Sequence, residues 1–245
     1  MRPVIRFLRL PVDDYLAALE LFIRRFRWPH LAALAAAAVF SWWIYVPIHE
    51  LLHAAGCRLG GGSVTRLEID PIYGAALLQP FFPWVAVGSE YAGQLTGFDT
   101  GGSDLTYLLT DFLPFVLTII IGVPLLRAAG GWRGTGLTQA LLFGAALPVA
   151  LAPFVSLTGD FYEMGSILVS RLVARGDPGF AVDRWRSDDV FKLIGELFGA
   201  GGSGGLADAA GIAASLLLGS MLAFATYAAG TLWPWARRRP PRASG

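Results

Sequence analysis

Apolar and charged positions are segregated along this chain, and its uncharged runs mark out the elements. Four runs are long: residues 31–48, 112–126, 134–159 and 209–236 hold 18, 15, 26 and 28 residues without a charge. About 20 apolar residues cross a bilayer core, so the pattern predicts an α-helical integral membrane protein with about four transmembrane helices. A fifth run, 71–89, is broken by Pro71, Gly74, Pro80 and Pro83. Irregular backbone at membrane depth must be buried in protein or line a cavity, which predicts a short re-entrant β/loop segment after the first span. A fifth, kinked span is the alternative. Before the first span, Val12, Tyr15, Leu16, Leu19, Phe22, Ile23 and Phe26 recur at helical spacing, opposed by Asp13, Asp14, Glu20, Arg24 and Arg27. That periodicity predicts an amphipathic helix within residues 1–30, lying on the membrane surface or packed as an ordinary helix. The segment is too long and too basic for a cleaved signal. Residues 174–207 read as an extramembrane loop, with a short helix over 182–197 and a flexible glycine linker at 199–205. Residues 208–245 read as the last span and a basic tail.

Composition narrows the classes. Hydrophobic residues make up 55% of the 245 and charged ones 15%, with 19 Lys+Arg against 18 Asp+Glu. No basic excess is available to neutralise phosphates, so nucleic acid is not an expected partner and the bilayer is. One cysteine, Cys57, excludes a disulfide framework. With four spans, one side holds Arg2, Arg6, Arg9, Arg24, Arg25, Arg27, Arg127, Arg133, Arg237, Arg238, Arg239 and Arg242, twelve in all. The other holds Arg58, Arg66, Arg171, Arg175, Arg184, Arg186 and Lys192, seven. The positive-inside rule then predicts both termini in the cytoplasm, in the cell (inner) membrane.

The chemistry sits at the end of the first span, which reads His49-Glu50-Leu51-Leu52-His53. Residues four apart on a helix share a face, about 6 Å apart along the axis, so both imidazoles can reach one Zn²⁺. Glu50 then stands beside the metal as a general base. Ionisable side chains in an apolar span are costly and mark function. Merely ending the helix in water is their bland alternative. Catalytic zinc usually takes three protein ligands. His30 lies at the far end of the span and reads as an interfacial residue, so the third ligand is a carboxylate or Cys57. Asp160 closes the third uncharged run at the depth of the two histidines. Glu163, one turn beyond it, is a supporting group or substitute ligand. Asp111 competes too, although a helix N-terminal role explains it, and Asp104 reads as a solvated turn residue.

The stretch His49-Glu-Leu-Leu-His-Ala-Ala-Gly-Cys-Arg-Leu-Gly60, followed by strand-like 64–74, resembles the site-2 protease class of intramembrane zinc metalloproteases. That class carries a metal-binding Leu-Asp-Gly motif after a proline-containing loop. Leu157-Thr-Gly-Asp160 is a degraded counterpart, with Phe161 in place of the final glycine. The likeness covers residues 31–173, the metalloprotease-like core, and has no counterpart in 174–245. It implies a zinc-dependent endopeptidase cleaving a membrane-protein or peptide substrate within or next to a transmembrane segment, with one zinc per chain. It also implies a site towards the cytosol, whereas the charge count puts the motif near the outer face. Two other classes stay open: a catalytically silent membrane relative that binds a partner, and a membrane zincin acting on soluble peptides.

Overall fold

The computed structural model describes residues 2–233. The tail arginines Arg237, Arg238, Arg239 and Arg242, and Trp235, lie outside the described residues. About 70% of the described residues are helical. In order it forms α1 (Arg2–Arg24), α2 (Trp28–Leu59), β1 (Ser63–Ile69), α3 (Ala75–Leu78), β2 (Val85–Val87), β3 (Gly93–Asp99), α4 (Asp104–Phe112), α5 (Val123–Gly130), α6 (Gly136–Val155), α7 (Asp160–Gly176), α8 (Val190–Phe198) and α9 (Leu206–Gly230). Among the described residues, four helical stretches are long and apolar enough to cross a membrane: Trp28–Leu59, Asp104–Gly130, Gly136–Thr158 and Leu206–Gly230.

These stretches differ from the uncharged runs in instructive ways. The helix of the first run does not stop at its charges: α2 continues through Pro47 and carries the whole H-E-x-x-H motif within its 32 residues. Proline removes one backbone hydrogen bond, and the flanking turns keep theirs. The second stretch starts eight residues before its uncharged run, because Ser103 caps α4 by accepting from the Thr106 amide. It reaches Gly130 through a 3₁₀ turn at Leu113–Phe115 and a π turn at Thr118–Gly122.

The chain divides into two compact units. The first comprises Met1–Val46, Phe115–Ala152 and Phe224–Gly245. Here α1 is a packed helix. Ala18 and Phe22 are buried, Tyr15 tilts against Phe143 with ring centroids 5.8 Å apart, and the Gln139 amide donates to the Ala18 carbonyl at 3.0 Å. Asp14, also buried, accepts from the Tyr227 hydroxyl at 3.2 Å and faces Arg127 at 3.6 Å. The sequence-derived apolar face splits: Tyr15 and Phe22 turn inward, whereas Val12, Leu16 and Ile23 stay exposed.

The second unit comprises Pro47–Pro114 and Pro153–Ala223. A three-stranded sheet has the order β2-β1-β3, with β1 parallel to β2 and antiparallel to β3. One strand-like segment at 64–74 was expected. The strand instead ends at Ile69, where Asp70 caps a 3₁₀ turn at Pro71–Tyr73. The proline-broken segment is not a featureless loop. It forms α3 and β2, and β3 follows it as the sheet's far edge. Leu67, Ile69, Ala75 and Val85 form the core under the sheet. A second core joins Tyr162 of α7, Trp185, Val190 and Leu193 of α8, and Ile212 of α9. The helix expected over 182–197 is shorter, starting at Val190, where Asp189 caps it, and ending at Phe198.

Candidate metal centre

Every side chain of the candidate site belongs to the second unit. Helix α2 presents His49, Glu50 and His53, all buried, with donor atoms within 4.8 Å of one another. The two imidazole Nε2 atoms face each other at 3.1 Å. Asp160, the first residue of α7, faces both: its Oδ2 is 3.7 Å from His49 Nε2 and its Oδ1 3.7 Å from His53 Nε2. Two donors each 2.0–2.1 Å from a tetrahedral zinc stand roughly 3.3–3.4 Å apart. The three spacings bracket that value, so this donor set fits one ion. Gly159 takes a backbone conformation that is neither helical nor extended, φ −111° and ψ −116°, immediately before Asp160.

The site's surroundings fix its protonation. His53 Nδ1 lies 2.8 Å from the Thr110 carbonyl. A carbonyl only accepts, so Nδ1 carries the proton and Nε2 presents its lone pair to the centre. Gly56 makes that bond possible, because a Cβ there would overlap the Leu109 backbone and come 3.0 Å from Thr110 Cα. Burial pushes the Asp160 carboxyl up, but the facing His53 and His49 and the Ser156 hydroxyl outweigh it and hold the group below the usual aspartate range. Glu50 lies against Gly93 at the start of β3, where an added Cβ would stand 2.7 Å from its carboxyl carbon.

These groups open into a cavity of about 700 Å³. Its walls include Glu163 and Asp111. Glu163 accepts from the Tyr107 hydroxyl at 2.7 Å. Burial raises its carboxyl to about 7, with Asp160 and Asp188 adding to the rise and Tyr107 and Arg186 opposing it. Asp111 is 4% exposed and its Oδ2 has no hydrogen-bond partner. It sits near the C-terminal end of α4, so the helix N-terminal role expected of it does not apply. Asp104 is no solvated turn residue either: it pairs with Arg171 and with Arg186, the latter at 2.7 Å. Neither it nor Cys57 lines the cavity; the Cys57 thiol points at the Ser63 and Asp99 carbonyls. His30 lies in the other unit, 2.8 Å from the Arg25 carbonyl.

Sequence reasoning missed Tyr107, Thr110, Gly93, Gln94, Arg186 and Asp188. Tyr107 and Asp111 are four apart and share a helix face, a readable signal. Gly93 and the Thr110 carbonyl left none. Gln94 donates to Asp188 at 2.7 Å, linking β3 to the loop before α8. Comparison with family models, curated proteins and solved structures gives no match.

Proposed function

We propose that this protein is a zinc-dependent, membrane-embedded endopeptidase that cleaves a peptide bond within or next to a transmembrane segment. One observation carries it: two imidazole Nε2 atoms and the Asp160 carboxyl converge at ligand spacing, with a buried glutamate beside them. His49, His53 and Asp160 would hold one zinc per chain, and the likeness of residues 49–60 to the site-2 protease class points the same way. Bound there, the ion supplies Lewis-acid polarisation of the scissile carbonyl. Glu50 takes a proton from the attacking water and passes it to the leaving amide nitrogen. The outer edge of β3 is unpaired in the sheet, and its residues Gly93, Gln94, Leu95 and Phe98 line the cavity. An unwound substrate segment can add there as a further strand, its carbonyls exposed. The count of twelve basic residues against seven supports termini on the cytoplasmic side of the cell membrane, which reporter fusions after Gly245 and within 90–105 test.

Purified protein analysed for zinc, wild type beside His49→Ala and Glu50→Gln, tests the chemistry. Wild type should hold one zinc, His49→Ala none, and Glu50→Gln one zinc without peptide cleavage. General acid–base groups contribute about a hundredfold or more. Residual turnover of Glu50→Gln within about tenfold of wild type sinks the assignment, and a zinc-free wild type favours a silent, partner-binding relative.

A further inference from the structure

Beyond the three ligands and the base, the cavity wall carries more negative charge than the reaction uses. Asp111, Glu163, Asp188, Asp189 and Glu196 face it, against Arg186 and Lys192. Several of these are committed. Asp189 caps α8 by accepting from the Phe191 and Lys192 amides, Asp188 accepts from Gln94, and Arg186 is held by Asp104. Asp111 is different. It is more than nine-tenths buried, and one of its oxygens has no hydrogen-bond partner. A buried carboxylate without a partner is costly, and either a proton or a cation relieves that cost. Glu163 stands near it, committed to Tyr107 through one oxygen. Directly before Asp111 comes Thr110, whose carbonyl orients His53, and Glu163 follows Asp160 by three residues on α7.

We infer that Asp111 and Glu163 form a subsite for an organic cation, a lysine or arginine side chain or a free amine of the substrate, beside the scissile bond. This rests on the endopeptidase reading for its role and on the cavity wall for its chemistry. A second metal ion fits less well, because among the described residues only His49, Glu50 and His53 group three donors closely enough for an ion. A cavity lined by one sign of charge selects the opposite sign in its ligand, and a desolvated, unpaired charge penalises a neutral or acidic one. The enzyme therefore prefers substrates with a basic residue near the cleaved bond.

The test uses full-length protein in detergent carrying Glu50→Gln, so that complexes persist. Three peptides, matched except for Lys, Leu or Glu at one position beside the cleaved bond, are titrated and their Kd values compared. The Lys peptide should bind at least tenfold tighter than the Leu peptide, and Asp111→Asn should shrink that ratio to within about twofold. Glu163→Gln, whose amide oxygen still accepts from Tyr107, should shrink it in part and serves if Asp111→Asn does not fold. No preference in the parent protein overturns the subsite, as does a preference that both variants leave intact. A zinc content of two per chain that falls to one in Asp111→Asn overturns it in favour of a metal. Lys preference without cleavage of any peptide by wild type leaves the subsite standing and removes the endopeptidase. Cleavage without preference does the reverse.

Discussion

Replacing Gly93 by alanine isolates the positioning of Glu50 from everything else in the site. The added Cβ would stand 2.7 Å from the Glu50 carboxyl carbon and 3.1 Å from its Oε1. Carbon atoms at rest sit about 3.5–4.0 Å apart, so Glu50 or the strand must move by about 1 Å. Displacing a reacting group by that distance costs about a hundredfold in rate. Overpacking also costs stability, typically about 1–3 kcal/mol, and a control must separate the two effects. Gly97, on the same strand, provides it: its Cβ would meet Arg66 Cβ and Thr65 Oγ1 at 2.6 Å, outside the cavity. Both variants should lose similar thermal stability and keep one zinc. Only Gly93→Ala should lose about a hundredfold in turnover of a peptide substrate, read together with zinc analysis and a thermal melt. Equal turnover in the two variants, or Gly93→Ala within about threefold of wild type, refutes the claim that β3 sets the base.

Asp160→Ala should abolish stoichiometric zinc, whereas Asp111→Ala and Glu163→Ala keep it with at most a roughly ten- to hundredfold weaker affinity; metal analysis after dialysis against graded chelator ranks the three, and full zinc in Asp160→Ala moves the assignment to Glu163. In the chelated protein the raised Glu163 carboxyl binds its proton more tightly folded than unfolded. Stability should therefore fall as pH climbs from 4.5 to about 7, and Glu163→Gln should flatten that slope in pH-resolved melts; an unchanged slope places Glu163 outside the titration.

The uncharged runs located all four apolar helices, because charge is expensive in lipid and its absence is unambiguous. Their ends were less legible. The second helix starts early on the strength of a Ser103 cap and an Asp104 whose charge is held by arginines sixty-seven and eighty-two residues away. The H-E-x-x-H residues were readable because one helix supplies them all. Asp160 was readable as a boundary carboxylate, but its approach to the histidines depends on how α7 packs, which local sequence does not encode. β2 and β3 went unseen for the same reason. β2 is three residues long and β3 contains Gly93 and Gly97, so neither shows the alternation that marks a strand.

His53 is oriented by the main-chain oxygen of residue 110, with no side chain involved. Every amino acid has that oxygen, so heredity can rewrite position 110 without touching the bond, within the limits its packing sets. What cannot drift freely is the glycine at 56, which admits the backbone bearing that oxygen. The orientation of this imidazole thus depends on a residue with no side chain, whose smallness lets the backbone of another helix come close.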